Sequence, residues 1–332
     1  MRHGSLHGET DLNAVTFLSP VTQEIKLVEE RMRMQADESH PDLRAALEHL
    51  LAAGGKRVRP TLGLLVGNML NAPLDKLVTL GAAVELLHTA TLVHDDLIDG
   101  ALLRRGMPTL NARWSPPATV LTGDFLFARA AKLAAEADHL ALMKLFSETL
   151  AIIVNGELTQ IFTSRGLINR ENYYKRIYAK TASLFEMTSR ASAMVSPVDD
   201  GIIESMRDFG YQVGMAFQIV DDILDFTGEQ AAVGKPLGSD LHNGLVTLPA
   251  IYYAEANPDD ADVLSLPNGG WTNNENMTRL VDNIRASDSS RLAMREAERH
   301  VDRALTILTT FENCAEREAL ENLAKYIVDR KV

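Results

Sequence analysis

The chain contains almost no cysteine and has too little positive charge to balance its acidic residues. Cys314 is the only cysteine in 332 residues, so a disulfide framework is excluded and a reducing compartment is expected. With 45 acidic and 33 basic residues, the formal net charge is −12. A nucleic-acid-binding protein needs a basic surface for the phosphate backbone. We therefore expect a cytoplasmic protein that binds no nucleic acid.

Long apolar runs and linkers are missing as well. No stretch of 18 uncharged apolar residues occurs, so no transmembrane segment is expected. The opening residues MRHGSLHGETDLN lack the apolar core of a secretory signal. No Pro/Gly/Ser-rich linker divides the middle of the chain, and 46% hydrophobic residues can form a large core. A single domain over residues 1–332 is predicted.

Helical periodicity dominates the pattern of apolar residues. They recur at spacings of three and four over most of the chain, including 172–195, 200–228 and 278–311, whereas strand-like alternation is hard to find. The pattern predicts an all-α fold, a bundle of about ten or more helices with the chemistry between facing helices. Residues 1–20 are expected to be partly mobile, and 257–276 is predicted to be an exposed irregular loop.

Two aspartate clusters stand in otherwise apolar helical segments, LVHDDLID at 92–99 and FQIVDDILDF at 217–226. Residues four apart share one face of a helix, so the aspartates of each cluster project together. Carboxylates packed in this way repel one another and take up protons unless a cation neutralises them. The residues concerned are Asp95, Asp96 and Asp99 in the first cluster and Gln218, Asp221, Asp222 and Asp225 in the second.

Magnesium suits such carboxylates because it prefers oxygen ligands, keeps several waters and is often shared with substrate phosphates. Two facing stripes therefore predict a clamp that holds a di- or triphosphate through metal ions. An EF-hand is excluded, since its third and twelfth loop positions would be Leu97 and Gly106. A solvated helix face would account for one such motif but explains two copies poorly.

Basic residues accompany the carboxylates, as an anion site requires. The stretch GGKRVRP, residues 54–60, places cations at a glycine turn that opens a helix, where free N–H groups suit an anion. A Walker A loop is excluded, because Leu50 occupies the first glycine position. Arg104 and Arg105 follow the first cluster within reach of a phosphate. The other cationic candidates are Lys56, Arg57, Arg59, Lys180 and Lys235.

These motifs, in this order over roughly residues 20–330, resemble the trans-prenyltransferase family, the all-trans polyprenyl diphosphate synthases. HDDLIDGALLRRG is similar to the first aspartate-rich motif and GMAFQIVDDILDFTG to the second; AKTASLF, GKPLGSDL and TLP match too. The resemblance implies an isoprenoid synthase fold, a homodimer, and condensation of isopentenyl diphosphate with an allylic diphosphate (dimethylallyl, geranyl, farnesyl or geranylgeranyl). It also implies Mg²⁺ as cofactor, with three ions in the substrate complex.

The resemblance further implies roles for individual residues. Metal ions are expected on Asp95, Asp99 and Asp221. The expected catalytic set consists of the six aspartates of the two clusters, Lys180 and Arg104. The residues expected to bind or surround the substrates are Lys56, Arg59, His88, Arg105, Thr181, Phe217, Gln218 and Lys235. Leu245 stands where many members have lysine before TLP, which predicts weakened or altered diphosphate binding.

Small residues before Asp95 bear on product length. Short-chain members of the family often block the product tunnel with aromatics four or five residues before the first aspartate; here Thr91 and Ala90 take these places. Leu87 and Val84 continue down the same helix, the latter about 16 Å from Asp95. We therefore predict a product beyond C20, with geranylgeranyl or farnesyl diphosphate as the alternative. Candidates for a deeper floor are Phe125, Leu126 and Arg129.

Other classes of protein explain the sequence less well. A terpene cyclase would not need GGKRVRP to hold a second diphosphate. A non-catalytic subunit of a heteromeric synthase is expected to lose the aspartate motifs, which are intact here. An acidic scaffold that only binds cations leaves the pair Arg104 and Arg105 unexplained.

Overall fold

The computed structural model describes residues 17–37, 40–163, 165–228 and 237–330. Nearly all regular structure in this part of the chain is helical, so the all-α prediction is confirmed. A short antiparallel hairpin joins β1 (Leu103–Arg104) to β2 (Met107–Pro108). The helices of the first half are α1 (Thr22–Arg33), α2 (Pro41–Ala52), α3 (Val58–Met69), α4 (Leu74–Ile98), α5 (Leu110–Arg113), α6 (Pro116–Glu136) and α7 (Leu140–Thr163), with 3₁₀ turns at Ser19–Val21 and Met34–Ala36.

The described part of the second half is also built from helices. A π-helical turn at Tyr178–Ala182 connects α8 to α9 without a break in the helical path. The helices are α8 (Arg170–Ile177), α9 (Ser183–Met194), α10 (Asp200–Thr227), α11 (Ser239–His242), α12 (Leu248–Ala256), α13 (Ala261–Ser265), α14 (Asn274–Ala286), α15 (Ser289–Leu308) and α16 (Ala315–Asp329), with 3₁₀ turns at Leu266–Asn268 and Gly270–Thr272.

Helix α4 is the core helix that carries the first aspartate cluster. By length and composition it could cross a membrane, yet 67% of its most apolar stretch is buried inside the protein. It packs mainly against α6, while α10, which carries the second cluster, packs against α15 and α9. The two clusters are thus presented by long helices whose other faces form the core.

Glycines allow α10 to approach α9 closely. A Cβ atom at Gly214 would lie 2.6 Å from the Cα of Ala182, and one at Gly210 would lie 2.6 Å from the carbonyl oxygen of Phe185. Gln218 and Asp222 follow Gly214 at successive spacings of four and therefore share its face. This close contact sets the second cluster against the π turn.

The prediction of an irregular loop over 257–276 is wrong. Helix α13 and two 3₁₀ turns lie within it, and Val263 and Leu266 are buried. Asp260 starts the helix, since its side chain accepts hydrogen bonds from the N–H groups of residues 262 and 263. The Asn, Pro and Gly residues that predicted a loop instead form caps and tight turns between short helical elements.

The predicted helix over 278–311 is interrupted. The chain is extended at Ser287, between α14 and α15. The Ser287 hydroxyl accepts a hydrogen bond from the N–H group of Ser289 at 3.2 Å, a local bond that competes with helix continuation. Of residues 1–20, only 17–20 lie within the described part, and their expected mobility stays a prediction. Phe17 is buried, its ring centroid 5.2 Å from that of Tyr326.

Replacing Gly214 with alanine tests the close approach of α10 and α9. The added methyl group overlaps backbone atoms, so the helices must separate; we expect a loss of about 1–3 kcal/mol in the free energy of unfolding and reduced activity. Gly201→Ala in the exposed first turn of α10 is the control; its Cβ would lie 3.1 Å from the Asp199 side-chain oxygen and meet no backbone atom, so it should cost much less stability. Denaturant unfolding of both variants measures the difference, and equal stabilities would contradict the packing argument.

Acid should weaken the interface between α10 and α15. There His300 Nδ1 lies 2.6 Å from Gln212 Oε1, and burial, aided by Arg303, lowers the pKa of His300 to about 4. The unfolded chain takes up this proton near pH 6.5, so the contribution of His300 is present above that pH and is lost as the pH falls toward 4. In urea titrations at pH 7 and pH 5, His300→Gln should lose less stability than the parent. Identical losses would contradict the assignment.

Candidate active site

The first aspartate cluster closes the C-terminal end of α4. Asp96 is buried, and Arg104 from the hairpin binds both of its oxygens, with Nε at 3.0 and 3.1 Å and Nη2 at 2.8 Å. Such a fork-shaped, charge-assisted pair fixes both side chains. Asp99 is exposed at the end of the helix. Asp96 therefore positions Arg104, and Asp95 and Asp99 are left to face the cleft.

Asp95 is the carboxylate with the least compensation. Lys180 Nζ lies 4.0 Å from its Oδ2 and only 2.8 Å from Oε1 of Glu157. Burial raises the pKa of Asp95 to about 6; Lys180 opposes this shift, whereas Glu157 and Asp99 add to it. A cation brought to Asp95 would therefore stabilise its charged form.

The π turn connects the two aspartate clusters. Lys180 in this turn faces Asp95, while its neighbour Thr181 donates a hydrogen bond to Gln218 Oε1 at 2.6 Å. Gln218 in turn donates from Nε2 to Asp222 Oδ1 at 2.8 Å. Single π turns inside helices are frequent at functional sites. Two consecutive residues of this turn thus lie against both clusters at once.

The second cluster divides into buried and available carboxylates. Asp222 also accepts a hydrogen bond from the Tyr173 hydroxyl at 2.8 Å, and its pKa is raised to about 7, mainly by burial and then by Asp240. Asp225 accepts bonds from the Ser239 hydroxyl at 2.8 Å and from the N–H groups of Ser239 and Asp240. Asp222 and Asp225 therefore hold the structure around Asp221.

Asp221 pairs with the last described residue of the chain. Arg330 Nη1 lies 2.7 Å from Asp221 Oδ1, and the Arg330 guanidinium stacks over the Phe217 ring at 4.4 Å. Burial raises the pKa of Asp221, and Arg330 and Arg59 oppose the shift. The C-terminal end of the chain thus lies on the second cluster.

The glycine turn at 54–60 contains one cation that does not face the cleft. Arg57 adopts a left-handed backbone conformation, with φ of 48°. Its guanidinium binds Glu29 at 3.0 Å and the buried Glu85 at 2.9 Å. The prediction that Arg57 belongs to an anion site is therefore wrong, because its guanidinium is already paired with carboxylates of α1 and α4.

Two of the remaining cations, Arg59 and Arg105, lie close enough for their charges to interact. Arg59 Nε is buried and finds no hydrogen-bond partner among the residues that the structure describes, and the guanidinium lies 4.7 Å over the Phe185 ring. Arg105 donates to the carbonyl of Gly54, close against Gly55, where a Cβ would lie 2.9 Å from Arg105 Nη1. An unpaired buried arginine nitrogen beside a second arginine is what an anion would satisfy.

His88 and Lys56 lie near Arg59. Burial, then Arg59 and Arg105, keep the pKa of His88 well below its ordinary value, so the ring is neutral at pH 7. Lys56 Nζ donates to the Tyr326 hydroxyl at 2.5 Å. The charges of Arg59 and Arg105 act on His88, and those of Arg59 and Lys56 act on Asp221. That Lys56, Arg59, His88 and Arg105 bind a substrate stays a prediction.

Other predicted residues are placed as follows. Lys235 lies outside the described residues. Leu245 is half-buried and forms an isolated backbone bridge with Arg165.

The residues predicted to set product length lie on α4 and α6. On α4, Thr91 is half-buried on the stripe of Asp95. Leu126 on α6 is buried, and Arg129 stacks on Phe125 at 5.0 Å. The buried residues of the predicted tunnel stripe on α4 are Val84, Leu87 and Ala90.

Sequence reasoning missed four residues at the site, namely Glu157, Tyr173, Tyr326 and Arg330. Tyr173 is 49 residues from Asp222, and Arg330 is 109 residues from Asp221. No local spacing connects such partners. The only signal for Glu157 is the glycine that precedes it inside a predicted helix.

The donor set fits a divalent metal that binds together with a phosphate. In the described ranges, no group of three His, Cys, Asp or Glu side chains converges closely enough to hold a metal alone. Mg²⁺ does not need such a group, because it keeps waters and takes phosphate oxygens. Burial raises the pKa values of Asp95 and Asp221, so a metal ion beside either carboxylate would stabilise its charged form. Asp95, Asp99 and Asp221 are the residues that would hold the metal.

An all-α bundle with two carboxylate clusters joined through one π turn, and arginines beside them, defines an enzyme of the isoprenoid synthase type. Sequence comparison narrows this class: the family model described as "Polyprenyl synthetase" matches residues 40–283. The chain belongs to the polyprenyl synthetase family and is a prenyltransferase.

Individual relatives match this chain over nearly all of its length. "Heptaprenyl diphosphate synthase component 2" of Bacillus subtilis is 35% identical, with 96% of this chain and 90% of the relative covered. The crystal structure of heptaprenyl diphosphate synthase from Staphylococcus aureus has a TM-score of 0.88 at 32% identity, covering 94% and 99% of the two chains. A polyprenyl synthase from Caulobacter crescentus, complexed with calcium and isoprenyl diphosphate, has the same TM-score and identity and covers 99% and 100%. The predicted family and the long-chain class are confirmed.

Proposed function

We propose that this protein condenses isopentenyl diphosphate with an allylic diphosphate, with Mg²⁺ as cofactor, to give an all-trans polyprenyl diphosphate longer than C20. The observation that carries the proposal is the π turn, which places Lys180 against the first aspartate cluster and Thr181 against the second. The Caulobacter crescentus polyprenyl synthase, whose crystal structure is complexed with calcium and isoprenyl diphosphate, supports the use of a divalent metal. The heptaprenyl names of two relatives support a long product.

The allylic diphosphate is assigned to the space between Asp95 and Asp221. Asp95, Asp99 and Asp221 would hold the Mg²⁺ ions, three by the family resemblance. The ions would supply positive charge that stabilises the departing pyrophosphate. Lys180 and Arg104, both already oriented by carboxylates, add two cationic donors beside the same group. This concentration of positive charge favours breaking the C–O bond, which leaves an allylic carbocation.

Isopentenyl diphosphate is assigned to the pocket of Arg59, Arg105, Lys56 and His88. Arg59 offers its buried Nε–H, which has no partner among the described residues. Neutral His88 can donate one ring N–H without adding a further charge. The Phe185 and Phe217 rings, 5.2 Å apart, lie next to this pocket and help to exclude water. The isopentenyl double bond attacks the allylic carbocation, and the resulting cation loses a proton to the released pyrophosphate, which restores a double bond. Holding both substrates together makes the bond-forming step effectively unimolecular.

A homodimer is part of the proposal. Helix α7 exposes a stripe of Val154, Leu158, Ile161 and Phe162, the last with 78% of its surface exposed. Apolar residues at spacings of four, three and one form a continuous helix face that a second copy would cover.

The cytoplasmic location expected from the single cysteine stays a prediction.

Replacing Asp221 tests the proposed metal clamp. Asp221→Asn removes a carboxylate charge from the cleft, so Mg²⁺-dependent pyrophosphate release should fall by about a hundredfold or more while the protein stays folded. Asp208→Asn, an exposed position on the same helix, is the matched control and should keep full activity. Near-normal turnover of the Asp221 variant would exclude the clamp. Pyrophosphate release from an allylic diphosphate without isopentenyl diphosphate would instead indicate a terpene cyclase.

Thr91 provides a test of product length. It lies one helical turn before Asp95, is only half-buried, and its hydroxyl donates to the His88 carbonyl at 2.7 Å. Thr91→Phe should fill the top of the tunnel and shorten the product to C20 or less. Thr91→Val, nearly the same size, should leave the length unchanged. Products are resolved by chain length after dephosphorylation, and an unchanged ladder in Thr91→Phe would place the floor elsewhere.

A further inference from the structure

Lys180 lies between two carboxylates that come from different helices. Its Nζ atom is 2.8 Å from Oε1 of Glu157 on α7 and 4.0 Å from Oδ2 of Asp95 on α4. Only the first distance is a hydrogen bond. Glu157 belongs to none of the motifs found in the sequence, yet it is the residue that holds the ammonium group in place.

The approach of α7 to the π turn depends on Gly156. A Cβ atom at this position would lie 2.5 Å from the Cβ of Ala179, the residue before Lys180. Glycine inside a helix costs about 1 kcal/mol relative to alanine, so its presence here needs a packing reason. The close approach brings the adjacent Glu157 to Lys180 in a sheltered position, where the Glu157 side chain is only 19% exposed.

Removing the Glu157 carboxylate would redirect Lys180. A lysine ammonium is a compact charge on a flexible stem with three donors, so it moves to the nearest remaining anion, which is Asp95. A carboxylate that accepts a charge-assisted hydrogen bond has less charge and fewer lone pairs to offer to a metal. Lys180 would then compete with the metal for Asp95 and would no longer face the diphosphate.

We propose that Glu157 is a positioning residue that holds Lys180 away from Asp95, so that Asp95 remains available to the metal and Lys180 to the diphosphate. The inference rests on the proposed function, because it takes Asp95 as a metal ligand. Glu157 acts through Lys180 and contacts neither the metal nor the substrate.

Calorimetric titration of the full-length protein with Mg²⁺ and inorganic pyrophosphate measures this effect without turnover. Glu157→Gln, which keeps the shape and loses the charge, should bind about tenfold more weakly than the parent. Glu157→Asp keeps the carboxylate and should retain most of the affinity. Glu148→Gln is the matched control, because Glu148 lies on the same helix in an exposed pair with Lys144; its affinity should not change.

A double-mutant cycle with Lys180→Met decides between positioning and direct ligation. If Glu157 acts through Lys180, Glu157→Gln should cause no further weakening once Lys180 is methionine. An equal weakening in both backgrounds would show that Glu157 binds the metal itself and would overturn the inference.

The same titrations separate this inference from the proposed function. Binding by the parent with no difference in Glu157→Gln overturns the role of Glu157 alone. Failure of the folded parent to bind pyrophosphate with Mg²⁺ would overturn the proposed function, and the role of Glu157 with it.

Discussion

Burial of negative charge is the constraint on which this site depends. A carboxylate moved out of water has its pKa raised unless hydrogen bonds or cations compensate. The fold compensates Asp96 with Arg104 and surrounds Asp222 with a hydroxyl and an amide donor. Burial raises the pKa of both Asp222, to about 7, and Asp95, to about 6. Among the described residues, Asp222 accepts short hydrogen bonds, whereas the ion pair of Asp95 with Lys180 spans 4.0 Å. Hydrogen bonding thus separates carboxylates that hold the structure from carboxylates that are available to a ligand.

The positive side of the cleft follows the same principle with the sign reversed. Burial, and then the nearby arginines, lower the pKa of His88 and keep its ring neutral, and Arg59 has a buried nitrogen without a described partner. Phosphate groups would satisfy these cations, while metal ions would satisfy Asp95 and Asp221. A metal-bound diphosphate therefore balances both halves of the site at once, which neither ion does alone.

The π turn positions these charges, and glycines determine how closely its neighbours approach. Gly156 on α7 and Gly214 on α10 contact the turn at Ala179 and Ala182. Lys180 and Thr181 lie between these two contacts. The irregular turn presents consecutive side chains to different helices, and the two glycine contacts fix the distances over which those side chains act.

The sequence by itself determined the all-α fold, both aspartate clusters and the basic turn, because helical periodicity and motif spacing are local properties. The tertiary structure decided which cations are paired. Arg57 binds carboxylates of α1 and α4, whereas Arg59 Nε has no hydrogen-bond partner among the described residues. It also added Glu157, Tyr173 and Arg330, whose partners lie on other helices, as well as the break at Ser287. Such pairings depend on how helices pack, and packing brings together residues whose separation in the chain has no fixed period.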